Sequence, residues 1–188
     1  WRLNAPRQRM LALAARSRNS GAMPKTRAGS VLTRELIAAL PKSDLHVHLD
    51  GSLRLDTLIE LAGTRRVKLP SATPEGLLEL VFKRAYKSLP EYLKGFELTV
   101  ACLQDPESLE RATYELCQDC RAENVHYLEI RFAPQLHVRG EFDVRQVLEA
   151  VARGIARASN EINASVAVKE GRTPRFLAGV IVCALRHF

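Results

Sequence analysis

The stretch LPKSDLHVHLDGSLR, residues 40–54, places two histidines two residues apart, follows them with an aspartate and then breaks the pattern with Gly-Ser. Its core, SDLHVHL (43–49), is short and alternates, so it reads as a β-strand. Side chains alternate across a strand, which sends His46, His48 and Asp50 to one side and Leu45, Val47 and Leu49 to the other. The apolar row suits packing against helices. The histidines then sit near the C-terminal end of the strand on the opposite side, and Gly51 and Ser52 give a tight exit and a close approach of backbone to a ligand. Two imidazoles converging there are natural zinc ligands. Spacing alone leaves a pair of satisfied core histidines equally open, and two ligands do not hold zinc.

Outward from this strand, the chain reads as strand, several helices, strand, helix, strand. Residues 31–40 suit a short amphipathic helix capped by Thr33 and ended by Pro41. Residues 55–62 are helical, with Gly63 as a stop. Thr73-Pro74-Glu75, Ser88-Leu89-Pro90-Glu91 and Asp105-Pro106-Glu107 each open a helix with a capping residue and an early proline. In the third of these, positions 109, 112, 113, 116, 117 and 120 form one buried face, which makes Cys117 and Cys120 packed core thiols and not ligands. NVHYLEIRFAP (124–134) is the second strand, halted by Pro134. Asp143 caps a long helix with Val144, Val147, Leu148, Val151, Ile155 and Ile162 on one stripe. FLAGVIVCALR (176–186) is a near-continuous apolar run, expected to be a strand buried on both faces.

Long helical crossovers imply parallel pairing and an α/β fold. A doubly wound sheet and a (β/α)8 TIM barrel both remain open, although no Gly-rich phosphate loop follows any strand. A barrel has eight strands and about 250 residues; three strands are read in this sequence, so as a barrel it would hold about three of the eight. An apolar content of 46% and a charged content of 26% are ordinary for a globular protein. No apolar run approaches the roughly 20 residues of a membrane-spanning helix.

The net charge of +7 is local. Residues 1–30 hold seven Arg or Lys and no acid, and the remainder is neutral, so the folded part has no nucleic-acid signature. The segment reads as a disordered or artefactual extension ahead of a start at Met23, as an Arg-rich transit peptide, or as a nucleic-acid or partner arm. Residues 31–188 form the second unit. No secretory signal is recognisable, so free thiols in a reducing compartment and a cytoplasmic location are expected, with organelle import by the basic segment as the alternative. Of the remaining histidines, His137 is expected in a surface loop, and His126 and His187 make no convincing third ligand.

LPKSDLHVHLDGSL (40–53) resembles the N-terminal signature of the adenosine deaminase family. The resemblance continues through SLPEYLKGFEL (88–98), ERATYELCQDCRAENVHYLEIRFAPQLH (110–137) and GVIVCALRH (179–187), and covers residues 36–188. It implies the N-terminal part of a metal-dependent TIM barrel in which His46 and His48 bind zinc. It also implies that Asp50, with His48 and Gly51 beside it, meets the ribose 5′-hydroxyl of a small-molecule nucleoside. A carboxylate at that place would repel a 5′-phosphate. Leu89, Tyr92, Leu93 and Phe96 are the expected apolar lining of a gate over the pocket, with plain helix packing as the alternative. Glu129 and Arg131 share strand parity and are read as a structural network below the site, satisfied by each other or by Arg186.

The implied reaction is hydrolytic deamination of adenosine or 2′-deoxyadenosine to inosine or deoxyinosine and ammonia. The alternatives are a sister enzyme acting on adenine or N6-methyl-AMP, and a non-catalytic truncated product. The family's His-Ala-Gly-Glu motif, with its general acid and third histidine, and its later zinc-binding Asp do not occur in this sequence. The chain alone is therefore expected to have an incomplete ligand set, no catalytic residue of its own, no closed barrel and no turnover.

Overall fold

The computed structural model describes residues 32–185. The basic segment, Arg186 and His187 lie outside the described residues. Three parallel strands form one sheet in the order β1 (Lys42–His48), β2 (Val125–Phe132), β3 (Leu177–Val182). Before β1 stands α1 (Arg34–Ala39). Between β1 and β2 run α2 (Leu55–Arg65), α3 (Pro74–Leu80), α4 (Leu89–Cys102) and α5 (Pro106–Ala122). Between β2 and β3 come a 3-10 turn (Pro134–His137), α6 (Val144–Asn163) and the short α7 (Val166–Lys169).

The capping residues do what their chemistry dictates. Thr33, Thr73, Ser88, Asp105 and Asp143 each accept a backbone N–H of the first turn they precede. Asp143 adds a reciprocal bond, because Gln146 reaches back to the Asp143 N–H at 2.9 Å. Gly63 does not stop α2. The helix runs on to Arg65, and Arg66 takes the left-handed conformation that ends it (φ 57°), while the Val67 N–H returns to the Ala62 carbonyl.

The core lies between one face of the sheet and α5 and α6. Val47, Leu49, Leu128, Ile130 and Phe132 supply the sheet side. Leu109, Ala112, Leu116, Cys117 and Cys120 supply the α5 side, and Val147, Val151 and Ile162 the α6 side. The buried face read for α5 is thus observed in full, with both cysteines packed and free. The α6 stripe holds except at its start, where Val144, the first residue of the helix, is exposed. The two helices approach closely at Gly154, where an added Cβ would lie 2.6 Å from the Glu110 carbonyl oxygen and 2.7 Å from the Thr113 Cβ. Around that contact Arg153 pairs with Glu110, Tyr114 donates to Glu161, and the Arg157 guanidinium lies 4.1 Å over the Tyr114 ring.

Two expectations for the strands are corrected. Leu45 is not on the helix-facing row but 55% exposed. From Asp44 to Val47, β1 advances three residues where β2 advances two, and this bulge, which holds Leu45 and His46, breaks the alternation. The third strand is not buried on both faces: Leu177, Val180 and Val182 are exposed, because no element among the described residues covers them.

Candidate active site

Beyond the bulge the alternation is regular again. Val47 pairs with Ile130 on the helix-facing side, and His48 pairs with Arg131 on the other. His46, inside the bulge, still turns to the face that carries His48 and Arg131, with the two imidazole centroids 5.4 Å apart. Arg131 Nη1 lies 3.2 Å from His46 Nε2. A guanidinium can only donate, so the Nε2 lone pair of His46 accepts, and the ring holds its proton on Nδ1. His48 differs. Its Nε2 is sealed from solvent and has no hydrogen-bond partner. Burial, then the neighbouring His46 and Arg131, holds its pKa below the usual histidine value, so the ring is neutral at pH 7.

After β1 the chain turns sharply. The Leu49 N–H still donates to the Arg131 carbonyl, the Ser52 N–H returns to the Leu49 carbonyl, and Ser52 Oγ donates to the His48 carbonyl at 2.5 Å. This turn buries Asp50 to 4% exposure and sets its Oδ1 3.8 Å from His48 Nδ1, too long for a hydrogen bond. Asp50 Oδ1 has no donor. Burial pushes its pKa up to about 6, opposed by the backbone amides of Asp50 and Gly51. Gly51 thus serves the site through its amide.

Helix α4 supplies an aromatic wall. Phe96 meets His48 edge-on at 5.9 Å, Tyr92 packs on Phe96 at 5.6 Å, and Tyr86 packs on Tyr92 at 5.2 Å. Leu89 and Leu93, read with them as lining, are exposed on the same helix. Tyr86 was not singled out from the sequence, since it precedes the helix and carries no periodic signal.

Two further readings change. Glu129 and Arg131 do not pair with each other: Glu129 accepts from the Tyr127 hydroxyl at 3.0 Å, and Arg131 turns to His46, so it belongs to the site. His137 is not on the surface. It is wholly buried against Phe132, and its Nδ1 bonds the Leu103 carbonyl at 2.8 Å. His126 lies at the opposite end of β2, engaged with Asn124, Arg121 and the Pro174 carbonyl.

The arrangement offers two imidazole lone pairs, one of them orphaned, beside a buried carboxylate oxygen that lacks a donor. These residues fit one side of a metal site: the donor type is right for zinc, and an unpartnered buried Nε2 is what a ligand awaiting its metal leaves. Among the described residues no group of three or more His, Cys, Asp or Glu is placed to hold a metal.

Comparison with known proteins places this geometry in context. The family model for adenosine deaminase matches residues 41–187. A Clostridium perfringens adenosine deaminase is 48% identical over 120 residues, which cover 63% of this chain and 36% of that protein. A solved Arabidopsis N6-mAMP deaminase matches with a TM-score of 0.58 at 31% identity, covering 79% of this chain and 42% of that one. A Burkholderia ambifaria amidohydrolase solved with bound Zn shares the fold, with a TM-score of 0.58 at 24% identity over 85% of this chain and 40% of that one. The chain spans about a third of the length of that clostridial relative, and its three strands match part of a TIM barrel.

Proposed function

The chain belongs to the adenosine deaminase family, and from that premise we propose that it supplies the N-terminal part of a zinc-dependent enzyme that hydrolyses adenosine or 2′-deoxyadenosine to inosine or deoxyinosine and ammonia. The observation that carries the reading is the cluster at the end of β1, with two imidazoles on one face and the buried carboxylate of Asp50 beside them.

In this reading His46 and His48 hold the metal. Bound zinc supplies a water whose pKa falls toward about 7, so that a nucleophile exists at neutral pH. His48 is suited to ligation because its neutral form is favoured and its Nε2 has no competing donor. His46 must give up the Arg131 hydrogen bond to offer its Nε2.

Asp50 accepts the ribose 5′-hydroxyl. Its Oδ1 needs a donor, and a hydroxyl provides one. With a pKa of about 6 the group is mostly ionised at pH 7, and a buried anion repels a 5′-phosphate. This favours nucleosides over N6-methyl-AMP. Phe96 and Tyr92 exclude water from the His48 side, and Leu89 and Leu93 form the apolar rim through which the nucleoside enters. Four cysteines that stay free support a reducing compartment, and we place the reaction in the cytoplasm.

The test is a substrate panel on the full-length product of the reading frame that encodes this chain. Adenosine and 2′-deoxyadenosine should exceed adenine and N6-methyl-AMP in kcat/KM by at least a hundredfold. H46A and H48A should each lose bound zinc by elemental analysis. Preference for the phosphorylated substrate, or full zinc content in both variants, overturns the reading.

A further inference from the structure

His137 and Gln104 form a crossed pair outside the cluster at the end of β1. They stand 33 residues apart in sequence and meet where the end of α4 passes the exit of β2. His137 Nδ1 lies 2.8 Å from the Leu103 carbonyl. A carbonyl only accepts, so the ring proton is on Nδ1. In return Gln104 Nε2 donates to the Leu136 carbonyl at 3.0 Å and to the Val100 carbonyl at 2.7 Å. Each side chain thus closes on the backbone residue preceding the other. The imidazole side of the crossed pair is sealed, with His137 and Leu103 both 0% exposed and Phe132 packed on the ring at 5.7 Å, while Gln104 is half-buried.

The clasp grips α4 at one end only. Towards its C-terminus α4 buries Thr99 and Cys102, and the Val100 carbonyl accepts both the Leu103 N–H at 3.0 Å and the Gln104 amide at 2.7 Å. Towards its N-terminus Leu89 and Leu93 are exposed and Tyr92 is half-buried. Phe96, which touches His48, lies seven residues before Leu103, about 10 Å along the axis at the helical rise of about 1.5 Å per residue. Before Phe96 the helix is held by Glu91, which accepts from Lys83 and the Lys87 N–H, and by Gly95 packed against Phe82; after it, the clasp fixes the far end, so the ring's position over the histidines depends on both.

We propose that Gln104 and His137 are a positioning pair that fixes the root of the pocket-covering helix to the strand exit, and so sets Phe96 and Tyr92 against the nucleoside. The proposal rests on the deaminase reading for its kinetic consequence, but not for its structural one. Removing the imidazole donor releases the root of α4, the aromatic wall samples displaced positions, and substrate binding weakens while the groups that perform the chemistry stay in place.

The test uses the full-length product with three variants. H137L removes the donor, Q104M removes the reciprocal amide at similar length, and H137N keeps an N–H at nearly the position of Nδ1. Hydrogen exchange is followed peptide by peptide. H137L and Q104M should each speed exchange at least tenfold across residues 92–102 and leave α5 (Pro106–Ala122) and β2 unchanged. H137N should return exchange to within twofold of the parent.

With adenosine, H137L should raise KM at least fivefold with kcat within twofold, and H137N should restore KM. Exchange that rises equally in α5 and β2 marks a merely structural residue and overturns the proposal. So does H137N behaving like H137L, or an unchanged KM in an active enzyme. If no variant and not even the parent deaminates adenosine, the deaminase reading fails. The exchange pattern still decides the clasp.

Discussion

Gly154 gives the sharpest test of how α5 and α6 meet. In G154A the new methyl carbon would lie 2.6 Å from the Glu110 carbonyl oxygen, 2.7 Å from the Thr113 Cβ and 3.1 Å from the Tyr114 amide nitrogen. Two of these three atoms are α5 backbone, which cannot swing aside, so the helices must separate. Overpacking of this kind costs about 1–3 kcal/mol. Alanine returns up to about 1 kcal/mol of helix propensity relative to glycine.

The net loss should be about 1–2 kcal/mol, increased by any weakening of the Arg153–Glu110 and Tyr114–Glu161 contacts that flank the site. Gly63 is the control, since it lies within α2, is exposed, and has nothing within 4 Å of an added Cβ. G63A therefore keeps the propensity gain and should stabilise by about 0.5–1 kcal/mol. Urea unfolding followed by far-UV circular dichroism reads both variants. With a slope of about 2 kcal/mol per molar urea, the midpoint should fall by about 0.5–1 M in G154A and rise by about 0.25–0.5 M in G63A. If G154A matched or exceeded the parent, the close approach of α5 and α6 at this point would be wrong.

Other consequences are open to equally direct measurement. Asp50 has a folded-state pKa raised from 3.8 to about 6, so the native state holds its proton more tightly than the unfolded chain. Its contribution to stability is therefore fully present below about pH 4 and is lost as pH rises toward 6, by about 3 kcal/mol for about two pKa units. In metal-free protein D50N should remove that fall and be the more stable variant at pH 7 by urea titration, while kcat/KM for adenosine in the full-length product drops. His137 acts in the opposite sense. Its pKa is lowered by burial, so protonation of the unfolded chain costs stability as pH falls below 6.5. H137N should flatten that acid limb in the same titration. D143A removes the side-chain half of the capping box on α6, the acceptor for the Gln146 N–H, and should cost about 1 kcal/mol by the same assay.

Local chemistry was legible in the sequence. Thr73, Ser88, Asp105 and Asp143 announce helix starts because a short polar side chain before a helix satisfies N–H groups that nothing else in the first turn can reach. His46 and His48 were legible as neighbours from strand alternation, and they do meet, although His46 lies within the bulge. What escaped depended on partners distant in sequence. Leu45 left the apolar row through a bulge that the pairing of β1 with β2 creates. His137 looks like an exposed loop residue until the exit of β2 is folded against the end of α4. Arg131 could not be assigned to His46 from parity, since parity placed it equally well beside Glu129. The apolar run of β3 spelled burial, yet burial is a property of what covers a strand, and the described residues hold nothing that does.

The two thiols of α5 have a use unrelated to catalysis. Cys117 and Cys120 are both 0% exposed, and burial pushes the Cys117 pKa up to about 12. A thiol in that state resists alkylation for as long as α5 stays docked, because the reactive thiolate is absent and reagent has no path to it. Cys183, partly exposed beyond β3, has no such shelter. A pulse of iodoacetamide should therefore mark Cys183 at once and the helix pair only when α5 lifts from the sheet. The protein carries its own timer for the opening of its core, read by mass spectrometry from alkylation of its native cysteines.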